Sequence, residues 1–255
     1  MKKYDAYVLN LDSAPERWAH MKMEFKDTIL NLIRFPAVRH KEGWQGCGES
    51  YVKLVRQHMA RDPDLTGPLL IVLEDDLFRL QDVDTFNERC SKIFTYLEDN
   101  RGSYSHFQGG GLYPSGLSVE SRDPLLLRCD YITSLSFTVF NKAAARSILE
   151  WDRVRNQGID NYVGNTNRGQ MLAPFPALVW QLIGLPSQIG DTSYKEKINN
   201  EFRKAHKVMA DFVKRQPGLD FRSMLGGGRR HRRRAGKTSR KVRPRRKTQK
   251  RRRNV

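Results

Sequence analysis

The chain has 255 residues and a formal charge of +18, but residues 226–255 hold 16 of the 46 Lys/Arg and no Asp or Glu. The other 30 basic side chains face 28 acidic ones, a net of +2, so a near-neutral body of single-domain size (residues 1–225) carries a separate cationic tail (226–255). The longest apolar run, Leu69 to Leu73, is too short to span a bilayer, and Met1-Lys2-Lys3-Tyr4-Asp5 leads into a strand pattern rather than the apolar segment of a signal peptide.

Taken in chain order, Asp5 to Leu11 reads as a strand. Ser13-Ala14-Pro15-Glu16 has the form of a capping box with Pro in the first turn, opening a helix to Phe25 with Trp18, Met21 and Phe25 on one face. A strand is expected near Ile33 to Val38. Gly46-Cys47-Gly48 then leads into a helix over Glu49 to Arg61, stopped by Pro63. After Gly67-Pro68, five consecutive apolar residues predict a strand buried on both faces, as at the centre of a parallel sheet. It ends at Glu74-Asp75-Asp76. A helix over Val83 to Asn100 follows, capped by Asp82 or Asp84.

Residues 101–128 read as loop-rich, with a strand at Ser105 to Gln108 before Gly109-Gly110-Gly111. Ile132 to Phe140 reads as one strand, and Asn141 caps a helix from Lys142 to Arg153. Gly158 to Asn165 forms a short helix and Met171 to Gln181 an extended piece. Ile198, Phe202, Met209, Phe212 and Val213 recur at helical spacing in a terminal helix from Tyr194 to Arg215, ended by Pro217-Gly218. Alternating strands and helices imply an α/β fold with an open, mostly parallel sheet flanked by helices. Cys47, Cys90 and Cys129 are too dispersed for a disulfide framework or a metal knuckle, and Cys47 is expected in the core.

Ligands of open α/β sheets bind outside the carboxyl ends of the strands, where Glu74-Asp75-Asp76 falls. Glu74 and Asp76, two residues apart, can converge on a hard divalent cation, Mn²⁺ or Mg²⁺, that keeps positions open for diphosphate oxygens. The alternative is an acidic loop with one residue capping the next helix. The histidines show no ligand spacing, and only His106, beside the glycine triplet, is placed to be considered for a metal.

Asn10-Leu11-Asp12 with Arg17, then Ala37, Gly46, Cys47 and Ser50, then Leu73-Glu74-Asp75-Asp76, stand in an order that resembles glycosyltransferase family 25. That family includes lipopolysaccharide glycosyltransferases and procollagen galactosyltransferases. Phe137 to Ala145, Gly158-Ile159-Asp160, Pro176 with Gln181, and Ser187 with Ile189 extend the match over residues 4–190. Tyr51 stands where the family usually has His, Gln188 where it has Asp, and 101–130 has no counterpart.

The resemblance implies a GT-A fold, a Rossmann-like sheet with a UDP-sugar donor and usually Mn²⁺. It assigns Glu74 and Asp76 to the metal and Asp75 to sugar hydroxyls or ribose. Asn10 and Asp12 go to base or ribose, and Arg17 to phosphate unless it pairs with Asp12. Ser50 touches the donor or caps the helix that runs to residue 60. Asp160 is the candidate general base of an inverting transfer, with a helix cap as the alternative. Glu74, Asp75, Asn10 and Asp160 are expected to border one cleft.

Gly226-Gly227-Gly228 reads as a hinge before a tail that cannot bury a core and is expected to be disordered. Its charge suits nucleic acid or another polyanion in a salt-dependent manner, and with no aromatic after Phe221 it has nothing to stack on bases. The tail is similar to those appended to proteins of large DNA viruses, which implies the host cytoplasm or a virion; as a nuclear localisation signal it implies the nucleus. Two functions therefore stand. One is a metal-assisted transferase moving galactose or glucose from a UDP-sugar to a protein or glycan hydroxyl. The other is a nucleic-acid-associated virion protein with an inactive transferase-like body. A sugar-binding module without turnover is a third.

Overall fold

A computed structural model describes residues 2–152, 158–182 and 192–221. The Ser187-Gln188-Ile189 segment and the cationic tail lie outside the described residues. The first half runs β1 (Tyr4–Asn10), α1 (Pro15–Glu24), β2 (Leu30–Pro36), α2 (Gly43–Met59), β3 (Leu70–Glu74), β4 (Leu77–Arg79) and α3 (Val83–Asp99). The second half contains β5 (His106–Gln108), β6 (Leu112–Ser115), β7 (Ser118–Arg122), β8 (Leu125–Cys129), β9 (Tyr131–Thr133) and β10 (Phe137–Phe140). It closes with α4 (Lys142–Glu150), α5 (Ile159–Thr166), β11 (Met171–Pro174), β12 (Val179–Gln181) and α6 (Thr192–Lys214).

Period-two alternation sorts the central strands onto two cores. Ile71 and Leu73 of β3 join Ala6 and Val8 of β1, Met21 of α1 and Phe86 of α3 on one side. Leu70 and Val72 face the other way, against Tyr51 and Leu54 of α2 and Ile148 of α4. A third cluster sets Met209, Ala210 and Val213 of α6 against Leu127, Met171 and Phe175.

The main sheet has eight strands in the order β2-β1-β3-β10-β5-β11-β8-β7. β1 is parallel to β2 and β3, and β11 to β5. β10, however, enters antiparallel between β3 and β5, and β7, β8 and β11 pair antiparallel. The sheet is therefore mixed, not mostly parallel as the sequence suggested. The apolar run of β3 reports burial on both faces, and a central strand of a mixed sheet is buried as completely as one between two parallel neighbours.

Other boundaries moved for local reasons. The helix α1 starts at Pro15, with Ala14 as N-cap and no side-chain cap. Ser13 does not form the expected box, because a turn bonding Ala14 N–H to Leu11 C=O delays the helix start. The helix α2 begins at Gly43, six residues before its expected start, and carries Gly48 against the Trp151 ring, where a Cβ would lie 2.3 Å from the indole. Asn141 caps α4 as expected, and of the two candidates for α3 it is Asp82 that caps, with Asp84 inside the first turn. The single strand read over Ile132 to Phe140 is broken at Ser134, which takes φ +81°, so β9 leaves to pair with β6 while β10 enters the main sheet.

A candidate ligand cleft at the carboxyl edge of the sheet

The strands β1, β2, β3, β5 and β11 point the same way, so their carboxyl ends share one edge of the sheet. A cavity of about 490 Å³ opens there. Glu74, Asp75 and Asp76 line it from the end of β3, Asp160 from the first turn of α5, Gln181 from β12, and Trp44 from α2. The acidic triplet and the candidate base, 84 residues away from Asp76 in the chain, are thus brought to one cleft.

Arg17, buried in the first turns of α1, reaches across the triplet: its Nη2 lies 2.7 Å from Asp75 Oδ1 and 2.8 Å from Asp76 Oδ2. It lines the same cavity but pairs with these two carboxylates rather than with Asp12. Asp12 instead stands 2.5 Å from Arg34, with its side chain 80% exposed and outside the cavity lining. Asn10 is fully buried behind the triplet. Its Nδ2 donates to Asp75 Oδ2 at 2.7 Å and to Ala14 C=O at 3.0 Å, while its Oδ1 accepts from Arg34 Nε at 2.7 Å. Asn10 therefore orients Asp75 and is not part of the cleft lining, so three of the four residues expected to border it do so.

The triplet is only partly compensated. Burial, then the neighbouring Asp76 charge, pushes the Glu74 carboxyl up to about 8, against the opposing hydrogen bond from Gln181 Nε2, 2.8 Å from Glu74 Oε2. Burial also raises Asp75, with Arg17 and Asn10 opposing it. A second tie comes from the Leu182 N–H, which donates to Asp76 C=O at 2.6 Å, so the strand end at β12 holds the loop after β3. The strand β12, paired with β4, passes so close to Gly110 that an added Cβ there would lie 2.3 Å from Val179 C=O.

Among the described residues, no group of three His, Cys, Asp or Glu side chains forms a metal cage. Glu74 and Asp76 do present hard oxygen donors to one cavity, with the like-charge repulsion that a cation relieves. That donor set fits an open Mn²⁺ or Mg²⁺ site of one or two carboxylates completed by waters and ligand phosphates, not a protein-built cage. His106 does not contribute. It is fully buried, its ring nitrogens meet Ser105 Oγ and Gln108 at 3.0 Å each, and burial lowers its pKa to about 3.

Ser50 does not cap the helix, because α2 already starts at Gly43; from inside it Ser50 Oγ donates to Gly46 C=O at 2.6 Å and accepts from Val38 N–H at 2.8 Å, tying α2 to the segment that forms one wall of the cleft. Tyr51, read as a departure from the family, is fully buried and donates its hydroxyl to Leu135 C=O at 2.7 Å, bracing the β9–β10 link. Asp160 Oδ2 accepts from Thr133 Oγ1 at 2.8 Å, which fixes one carboxylate oxygen. Cys47 is partly buried and lines the cleft rather than lying wholly in the core, and burial raises its thiol pKa well above the usual range. The parts that sequence reasoning missed are Gln181, Thr133 and Trp44. Of these only Gln181 carried a signal, its place in the family-like order.

No family model matches the chain, and no curated protein matches it. Among solved structures, the crystal structure of A197 from STIV is similar with a TM-score of 0.35 and 11% identity, over 68% of this chain and 81% of that one. A likeness of that size adds nothing to the reading of the fold or of the cleft. None of the helices among the described residues is long and apolar enough to cross a membrane.

Proposed function

We propose that the chain is a glycosyltransferase with a GT-A-type body, moving a hexose from a UDP-sugar to an acceptor hydroxyl. The observation that carries this reading is the meeting of Glu74, Asp75, Asp76 and Asp160 on one cavity at the carboxyl edge of the sheet. The parallel β2-β1-β3 segment, ending in the acidic loop, supports the GT-A assignment, as does the antiparallel β10 beside it.

Glycosyl transfer requires the leaving diphosphate to be neutralised and the acceptor hydroxyl to lose a proton as its oxygen attacks the anomeric carbon. A divalent cation held by Glu74 and Asp76 supplies the first when bound. On the protein side, Arg17 brings a guanidinium to the same wall and, held by Asp75 and Asp76, keeps the loop from spreading under its own repulsion. Asp75, oriented by Asn10, faces the cavity as a hydrogen-bond acceptor for sugar or ribose hydroxyls. Asp160 has one oxygen held by Thr133 and takes the acceptor proton on the other, collapsing the hydroxyl onto the sugar with inversion.

The test is UDP release by the full chain from a panel of UDP-sugars, with Mn²⁺ or with EDTA. Release from one donor, dependent on Mn²⁺ and lost in Asp76→Ala, is the expected result. If neither UDP nor Mn²⁺ raises the melting temperature and no donor is consumed, the reading fails.

A further inference from the structure

Between the candidate base and the acidic triplet, the chain from Thr133 to Ser136 joins β9 to β10 and puts Ser134 and Leu135 on the cavity wall. Each carbonyl of this link is held from elsewhere in the fold. Leu135 C=O accepts from the Tyr51 hydroxyl of α2 at 2.7 Å, and Ser136 C=O accepts from the Glu74 N–H at the end of β3 at 2.8 Å. The other two fall to Gln108 of β5. With its amide oxygen 3.0 Å from His106 Nε2, its Nε2 donates to Thr133 C=O at 2.9 Å and to Ser134 C=O at 3.0 Å. The reverse orientation would set the amide oxygen against both carbonyls. His106 Nδ1 accepts from Ser105 Oγ at 3.0 Å, which leaves the ring proton on Nε2 for Gln108.

Gln108 and His106 are fully buried. A buried amide is costly unless its donors and acceptor are all matched, and an apolar side chain would pack at such a position without that demand. The amide does what no apolar residue could: it gathers two adjacent carbonyls around Ser134, whose φ of +81° persists only where its surroundings over-determine it. The two ends of the link carry the consequence. Thr133 Oγ1 donates to Asp160 Oδ2 at 2.8 Å, and Ser136 is bonded to Glu74, so one clamped stretch of backbone spans from the candidate base to the triplet.

We propose that Gln108 is a positioning residue: by clamping Thr133 and Ser134 it holds Thr133 Oγ1 on Asp160 and so sets where that carboxylate stands across the cleft from Glu74. Gln108 is itself outside the cavity lining and acts through Thr133. Its effect on rate rests on the transferase reading; the clamp does not.

The test follows the carboxyl carbon of Asp160 by NMR in the full chain labelled with ¹³C-aspartate, the resonance being assigned by its loss in Asp160→Asn. Thr133→Val deletes the hydrogen bond to Asp160 and Thr133→Ser keeps it. Gln108→Met removes the clamp at similar volume, and Gln108→Asn keeps an amide but retracts it by one methylene, which guards against a variant that does not fold. We expect the resonance to move in both Gln108 variants in the same direction as in Thr133→Val, to stay in place in Thr133→Ser, and to move no further when Gln108→Met and Thr133→Val are combined. In Mn²⁺-dependent transfer, kcat should fall by about 10–10²-fold in Gln108→Met and in Thr133→Val, with KM for the donor unchanged and the double variant no worse than the lower single one. A merely structural Gln108 lowers the melting temperature without moving the resonance or splitting kcat from KM. An unmoved resonance in a folded Gln108 variant, an unchanged kcat, or losses that add in the double variant overturn the proposal. The two ideas separate cleanly. A resonance that moves as expected in a chain that consumes no donor upholds the clamp and removes the transferase reading, whereas transfer by a chain whose resonance ignores Gln108 does the reverse.

Discussion

Arg17→Met is the most informative single change. It keeps the aliphatic length but deletes a guanidinium whose side chain is 6% exposed and which bridges Asp75, 6% exposed, and Asp76, 11% exposed. Removing one partner of a buried ion pair costs about 3–5 kcal/mol, because the remaining charge stays desolvated. In a domain of this size about 2–4 °C is lost per kcal/mol, so the melting temperature should fall by roughly 6–20 °C at pH 8. The sign of the pH dependence follows from the carboxyls. Asp75 already titrates above its ordinary range through burial, and losing Arg17 raises it further. A carboxyl whose folded pKa exceeds its unfolded value destabilises the fold when ionised. The penalty is absent below the unfolded pKa and grows as pH rises through the folded one. The deficit of Arg17→Met should therefore be largest at pH 8 and shrink towards pH 5, and Mn²⁺ should recover part of it at pH 8. Thermal denaturation of the full chain at pH 5, 6.5 and 8 measures this. A loss under about 2 °C at pH 8, or a loss that grows on acidification, would refute the account of Arg17 as the counter-charge of the triplet.

Three further outcomes are expected. The Glu74 carboxyl, raised to about 8, ionises on binding a cation, so the Mn²⁺-induced rise in melting temperature should increase from pH 6 to pH 8.5 and largely vanish in Glu74→Gln. Gly110→Ala places a Cβ 2.3 Å from the Val179 carbonyl, which is backbone and yields poorly. It should cost about 1–3 kcal/mol by denaturant titration, and by displacing β12 it should also weaken Mn²⁺ binding. Asp160→Asn should leave the melting temperature and UDP binding near wild type while lowering transfer by about 10²–10⁴-fold; a variant that transfers normally excludes Asp160 as the base.

What the sequence by itself determined is what local chemistry encodes. The apolar run 69–73, the Asn141 cap and the helical spacing along α6 each depend on neighbours a few residues away, and each was legible. So was the acidic triplet at a strand end, because three adjacent carboxylates cannot be buried for packing alone. Other features depend on partners far along the chain. The direction of β10 is invisible in its apolar residues, since burial does not depend on whether a neighbour is parallel. The strands β6, β7 and β8 lie where the composition reads as loop, and only pairing with β9, β11 and one another makes them strands. Arg17 has Asp12 five residues away, yet it turns to Asp75 and Asp76, because the parallel pairing of β1 with β3 brings the end of β3 beneath α1. Asp160 meets the triplet only once the chain breaks at Ser134, which sends β9 to the rim and β10 into the sheet. Sequence set the residues that had to reach water or a ligand; the tertiary structure decided which of them face each other, because contacts between distant segments are fixed by strand order and not by local pattern.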